Sequence, residues 1–411
     1  MPSNQRRAAV PFILFTVFLD VLSMGVIIPV LPNLVLGFAG GATDQAARIY
    51  GWFTTVWALM QFIASPLLGA LSDRFGRRPI ILLSCFGLGC DYLVMANAPS
   101  LAWLFVGRTI SGIMAASYPT AIAYVADVTP PQERGAWFGK IGAAWGIGFI
   151  TGPAIGGFLA AFSPRAPFWV AAILTILNAA YGFFILPESL AKDVRRPFSW
   201  RRANPVGSLR LLSAHRELLG LSTVYFFLYL AMNVLYTVYV LYVGYRFHWS
   251  AGLVGSTLAL VGICNVVVQG VLVKGMLRRL GERKALLIGI AAAALGFALY
   301  GYAPTGLVFC AAIPVFAWMG LFGPAAQQIM TRHVSPSEHG QLQGANMSLN
   351  GIAGIAGPYL FTGVFAYFIQ PGKWHVPGAA FYLAAILCAA GFLVAEVVTR
   401  RLSAIEARTT S

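Results

Sequence analysis

Twelve runs of mostly apolar residues, each close to the roughly 20 that a helix needs to cross a bilayer core, take up almost all of this 411-residue chain. Their approximate limits are 10–36, 50–72, 79–98, 101–126, 137–161, 166–186, 218–245, 252–276, 284–303, 306–330, 341–369 and 377–399. Short polar turns separate most of them, so almost nothing is left for a soluble domain. With 58% of residues hydrophobic, 10% charged and a mean hydropathy of +0.75, no water-soluble core could hide the apolar surface, and lipid must be the main solvent. The sequence predicts an all-α membrane protein of 12 transmembrane helices. Arg6 and Arg7 ahead of the first run resemble a signal peptide. That run is too long for one, carries Asp20 and has no small-residue cleavage site before Pro32, so it reads as a retained span.

The net charge of +15 would point to nucleic acid if the basic residues formed one patch on a folded domain. Their distribution excludes that. Of the 28 Lys and Arg, four (Arg48, Arg165, Arg246, Lys373) fall on one side of the predicted spans, Arg108 lies inside a span, and the other 23 share the opposite side and the two tails. This asymmetry follows the positive-inside rule and predicts a multi-pass protein of the cell inner membrane with both termini cytoplasmic. The basic excess then faces anionic lipid head groups. The five cysteines, Cys85, Cys90, Cys264, Cys310 and Cys388, lie in apolar runs without metal-ligand spacing and read as small buried hydrophobes.

One constant offset of 205 residues superimposes much of the chain's punctuation. Gly76 falls on Gly281, Arg78 on Arg283, Pro119 on Pro324, Glu133 on Glu338, Gly135 on Gly340, Gly139 on Gly344, and Gly152-Pro153 on Gly357-Pro358. Such agreement without a gap implies a duplication. The expected organisation is a six-helix bundle over 1–186, a basic cytoplasmic linker over 187–217 and a second six-helix bundle over 218–411. Phe198 and Trp200 among the linker arginines suit the lipid interface.

Between spans two and three runs Gly69-Ala-Leu-Ser-Asp73-Arg74-Phe75-Gly76-Arg77-Arg78-Pro79. Gly76 permits a tight reversal and Pro79 suits the first turn of a helix. A basic topogenic turn accounts for the arginines, but not for Asp73 or the glycine spacing. The string resembles the signature of the major facilitator superfamily. The resemblance implies that superfamily's fold, 12 helices in two pseudo-symmetric six-helix bundles, with a central site exposed alternately to the two sides.

Four stretches are similar to the drug/proton antiporters of the tetracycline-efflux type. They are FLDVLSMGVIIPVLP around Asp20, GALSDRFGRRP, the segment from Gly107-Arg108 through Tyr124-Val-Ala-Asp127, and Gly148-Phe-Ile-Thr-Gly152-Pro153-Ala-Ile-Gly156-Gly157. The C-terminal half matches more loosely, through GERKA and the Gly357-Pro358 region. The resemblance implies that Asp73 docks on the second bundle, that Arg77 pairs with Asp127, and that Gly148, Gly152, Pro153, Gly156 and Gly157 let helices five and eight pack closely and deform during a switch. Plain packing is the alternative for those glycines. The resemblance fails at two places: the span-eight His and span-nine Asp of tetracycline-efflux antiporters correspond here to Asn265 and Ala293. Tetracycline is therefore a family label and not an expected substrate.

Ionisable groups inside a span cost several kcal/mol unless paired or hydrated. Asp20 lies about 15 Å into span one at 1.5 Å per residue, Asp91 lies in span three and Arg108 in span four. The expectation is that Asp20 is the proton-binding carboxylate and that Arg108 pairs with it, with Asp91 either a further proton-coupling group or a structural partner of a neighbouring helix. A purely structural Asp20–Arg108 pair is the alternative. The second half offers neutral polar groups instead. Asn233, Asn265, Gln269, Gln327, Asn346 and Asn350, with Tyr118 and Tyr236, are candidate substrate contacts, and interhelical hydrogen bonding is the competing role for each.

The expected function is proton-coupled secondary transport, by H+ antiport and outward for small amphipathic compounds, with a proton-coupled importer or metabolite exporter on the same fold as the rival. Histidines 215, 248, 333, 339 and 375 are dispersed in loops, which argues against an enzyme or a metal site. The expected partners are protons, a small-molecule substrate and the bilayer, with no cofactor, no metal and no nucleic acid. The resemblance further implies a monomer.

Overall fold

The computed structural model describes residues 10–115, 117–200, 204–215, 218–335 and 338–410, so Arg6 and Arg7 lie outside the described residues. Regular structure among them is helical, as lipid requires of a chain that must satisfy every backbone group internally. We number the spans α1 (Val10–Ile27, continued by Leu31–Phe38), α2 (Thr43–Phe75), α3 (Arg77–Ala96), α4 (Leu101–Met114, then Ser117–Val128), α5 (Pro131–Ala160) and α6 (Ala166–Ile185). The second set is α7 (Leu219–Thr237, then Tyr239–Phe247), α8 (Ala251–Val267, extended by a π-helical turn at Val268–Leu272), α9 (282–302), α10 (Gly306–Ala317, Trp318–Leu321, Phe322–Arg332), α11 (His339–Ile369) and α12 (Ala379–Thr410). Ten helical stretches among the described residues are long and apolar enough to cross a membrane. One of these, Ala251–Tyr302, is two spans joined at a kink, and α4 is broken into pieces too short to count. Twelve spans result.

The breaks in α4 and α10 have a sequence cause that repeats at the duplication offset. A proline inside a helix removes the hydrogen bond to the carbonyl four residues back and crowds it. Pro119 does this at Ala115, where the first piece of α4 ends. Pro324 does it at Gly320, inside the 3-10 turn Trp318–Leu321 of α10. The reversals between α2 and α3 and between α8 and α9 rest on Gly76 (φ 111°) and Gly281 (φ 76°), a region L side chains rarely enter.

Packing repeats as well. In the first set α1 lies against α5 and α6, and α3 against α4 and α6; in the second, α7 lies against α11 and α12, and α9 against α10 and α12. The chain clusters into two compact units. The first comprises Met1–Gly41, Val56–Pro205 and Trp249–Ala259; the second comprises Ala42–Thr55, Val206–His248 and Leu260–Ser411. The opening turns of α2 thus belong with the second unit, where Thr55 Oγ1 donates to Ile355 O at 3.3 Å and Trp52 meets the Tyr359 ring at 5.0 Å. The first unit is centred on Ile13, Val17, Val21, Ile81, Ala121 and Tyr124, all buried. An aromatic core of Tyr242, Tyr300, Phe309 and Phe381 fills part of the second, and Tyr242 donates to Tyr300 O at 2.9 Å.

Candidate functional site

The turn between α2 and α3 is a closed charge network. Arg77 donates to Asp127 Oδ2 at 2.9 Å, to Ser72 Oγ at 2.7 Å and to Asp73 Oδ1 at 2.5 Å, which bears out the Arg77–Asp127 pairing. Arg78 reaches across to Phe183 O at 2.5 Å, and Arg74 lies over the Phe75 ring at 5.1 Å. A residue that sequence reasoning passed over completes the turn. Glu188, at the start of the linker, accepts from the backbone N–H of Arg77 at 2.8 Å and of Arg78 at 3.3 Å, satisfying orphan donors of the α3 N-terminus. Its carboxylate occupies the space where a side chain at Gly76 would stand. Gly69, by contrast, faces open space.

The duplication carries the same pair with its charges exchanged. Positions 77 and 127 plus 205 are Glu282 and Arg332, and these two form an ion pair in the second unit. The linker is fastened there too: Ser208 Oγ and Ser348 Oγ lie 3.1 Å apart, and His215 Nε2 and Glu338 Oε1 3.2 Å apart. Hydrogen bonds from Ser335 Oγ and N, and then His215, lower the Glu338 carboxyl from an ordinary 4.5 to about 2. A lowered carboxyl contributes its stabilisation above its unfolded value and loses it only as pH falls through the folded one. The Glu338 carboxyl is therefore ionised at neutral pH.

Of the span-five run, Gly148, Gly152 and Gly156 do something other than expected, while Pro153 and Gly157 meet α8 as expected. A methyl group at Gly148 would sit 3.0 Å from Phe18 O, one at Gly152 would sit 2.8 Å from Gly25 Cα, and one at Gly156 would collide with Val26 O. These glycines let α5 lie directly on α1, not on α8. The α5–α8 contact is made by Gly157, which abuts Ala251 and Gly252, and by Pro153, which abuts Gly255. The physical reason is register: Gly148, Gly152 and Gly156 repeat every four residues and share one helix face, while Gly157 lies about 100° away. Gly156→Ala is expected to destabilise the protein by about 1–3 kcal/mol, because backbone carbonyls yield less readily than side chains. A lower melting temperature in detergent than that of a Gly142→Ala control, at a position that meets open space, checks this.

The buried charges are also paired differently from the expectation. Arg108 forms its ion pair with Asp91, at 3.5 Å, and not with Asp20. Helices α3 and α4 are antiparallel neighbours joined by a four-residue turn, so Asp91 and Arg108 fall at similar depth on facing sides. Depth alone does not reveal which way a side chain points. Gly107 makes the approach possible, since a methyl group there would lie 2.6 Å from Asp91 Oδ1. Arg108 also donates to Ser111 Oγ at 3.4 Å, which accepts from Trp57 Nε1 at 3.3 Å. Asp91 is fully buried and Arg108 is 8% exposed.

Asp20 is half-buried and has its own neighbours. Asn178 of α6 donates to its Oδ1 at 3.2 Å, and the Cys85 thiol of α3 lies 3.7 Å from Oδ1 and 3.8 Å from Oδ2. Sequence reasoning missed Asn178, although a single amide in the otherwise apolar middle of span six was a visible signal. Among the described residues no group of three His, Cys, Asp or Glu side chains could hold a metal ion.

The model of the Major Facilitator Superfamily matches residues 13–358 and again 221–409, the second match starting where the second repeat starts. The chain belongs to the Major Facilitator Superfamily. Within the superfamily it is of the tetracycline-efflux type: it is 38% identical to the class C tetracycline resistance protein of Escherichia coli over 93% of this chain and 96% of that one. It is also 36% identical to the class G protein of Vibrio anguillarum, over 92% and 96%. Solved superfamily structures share the fold. The human organic anion transporter MFSD10 superposes with a TM-score of 0.69 at 24% identity, covering 96% of this chain and 100% of that one. The nucleoside transporter NupG gives 0.74 at 15% identity, covering 95% and 98%.

This superfamily member's neutral polar groups divide into two kinds. Asn233 is 8% exposed and ties α7 to α11, donating to Tyr229 O at 2.8 Å and Ala353 O at 3.3 Å. Asn346, 4% exposed, donates to Gln327 Oε1 of α10 at 3.5 Å. Both do interhelical work. Asn350 shares its helix with Asn346 but is exposed, Gln327 and Asn265 are half-buried, and Gln269 is exposed in the π-helical turn of α8 beside Gly320. Tyr118 and Tyr236 are exposed. Ala293, where tetracycline-efflux antiporters carry an acid, is fully buried.

Proposed function

We propose that this chain exports small amphipathic compounds in exchange for protons, as a monomer in the cell inner membrane with both termini cytoplasmic. The observation that carries the reading is the contrast between its two intramembrane carboxylates. Asp91 is sealed from solvent and committed to Arg108, whereas Asp20 is half-accessible in the middle of α1. Carboxylates in such different environments take different roles. Asp20 is positioned to exchange a proton, and Asp91 with Arg108 fixes α3 against α4. The named activity of the tetracycline resistance relatives supports export. The Arg77–Asp127 network, the linker staple at Glu188 and the charge-exchanged Glu282–Arg332 pair are the elements we assign to the conformational switch.

The accessible polar groups Tyr236, Gln269, Gln327 and Asn350, with Tyr118, are the best candidates for substrate contact; Asn233 and Asn346 serve packing. Buried Ala293 and the neutral Asn265 remove the groups suited to a metal chelate, so metal-free amphipathic compounds fit better than tetracycline. The test is a susceptibility panel of amphipathic compounds, tetracycline included, on an efflux-deficient bacterium expressing the chain. Raised resistance to at least one compound, lost with Asp20→Asn, is expected. Identical susceptibility of expressing and non-expressing cells across the panel would overturn drug export.

A further inference from the structure

Asn178 is 2% exposed, yet its side-chain oxygen is buried without a hydrogen-bond partner, while its amide nitrogen is shared among Asp20 Oδ1 at 3.2 Å, Thr16 O at 3.4 Å and Cys85 Sγ at 3.9 Å. Leaving a buried amide oxygen unsatisfied forfeits its solvation without return. An apolar side chain of similar volume would avoid that cost, and every flanking residue of α6 from Ala171 to Ile176 except Thr175 is apolar. Packing therefore does not explain an amide at this place. Of its three acceptors the Asp20 carboxylate is the nearest and the charged one.

We infer that Asn178 is a positioning residue for the proton site: it orients the Asp20 carboxylate from the α6 side and sets the pH at which that group exchanges its proton. The inference rests on the reading of Asp20 as the proton carrier. A hydrogen bond to an ionised acceptor is roughly twice as strong as one between neutral groups, so the amide N–H favours the carboxylate over the acid. Other groups among the described residues lie around this part of α1. Cys85 faces Asp20 from α3, with Tyr92 and the Asp91–Arg108 pair further along the same hairpin; Tyr124 of α4 packs in the same cluster, and Tyr181 of α6 meets the Phe12 ring at 4.6 Å. The α5 side presents Gly148, Gly152 and Gly156. Asn178 bonds Asp20 from α6, a helix that carries no charged side chain.

Infrared titration of purified protein in detergent tests this without knowledge of the substrate. The carboxylic-acid C=O band is followed against pH, and the part belonging to Asp20 is identified by its loss in Asp20→Asn. In Asn178→Leu the midpoint of that band is expected to move up by about one pH unit. In Asn178→Asp, nearly isosteric and so the safer variant for folding, it should move further, because two carboxylates sharing a site cannot both ionise freely. An unmoved midpoint in folded Asn178→Asp would overturn the inference, and would leave the Asp20 reading standing. If Asp20→Asn removes no titrating band, the Asp20 reading itself fails.

Discussion

Asp20→Asn is expected to reduce pH-driven transport to background while the protein still inserts and folds. The substitution keeps the volume and the hydrogen-bonding capacity toward Asn178, so the contact at 3.2 Å between α1 and α6 has a replacement. What it removes is the only property the proposed role needs, a proton that comes and goes at mid-span. The measurement pairs uptake of a fluorescent amphipathic probe into inverted vesicles with a melting curve of the purified variant. Lost uptake with a melting temperature close to wild type is the expected outcome, and undiminished pH-driven uptake would remove Asp20 from the mechanism.

Arg108→Ala should have the largest effect on stability of any single substitution considered. It strands the fully buried Asp91 without its cation, and breaking a buried ion pair from one side costs about 3–5 kcal/mol. It also removes the donor to Ser111, which orders Trp57 of α2. Replacing both partners by apolar residues, Asp91→Leu with Arg108→Leu, is expected to recover much of that loss, since an apolar pair has no desolvation penalty to repay. Thermal melts and yields of the two variants check the order: the single change lowest, the double change between it and wild type. A single variant as stable as the double one would mean that Asp91 is not held by Arg108.

Helix number and duplication were legible from hydropathy and from one offset, because membrane crossing and internal repetition leave long-range signals in the chain. Pro119 and Pro324 were legible as matching points of the duplication, and the Arg77–Asp127 pair followed from resemblance. Azimuth was not legible. Whether a side chain at a known depth faces one neighbour or another depends on helix rotation, and that is why Arg108 was assigned to Asp20 when it meets Asp91. The same limitation assigned the α5 glycines to α8 when three of them seat α1. The two asparagines at 346 and 350 illustrate it on one helix, the first buried against Gln327 and the second exposed. Glu282 and Arg332 were within reach of the sequence, since the offset maps them onto Arg77 and Asp127. Their reversed charges concealed the equivalence.

Export in exchange for protons is tested most directly by inverted membrane vesicles containing the chain, loaded with an acid interior and supplied outside with a compound from the resistance panel. Accumulation of the compound that stops when an uncoupler dissipates the gradient, and that is absent with Asp20→Asn, is the predicted result. Accumulation that occurs only with the gradient reversed would identify an importer on the same fold and contradict proton-driven export.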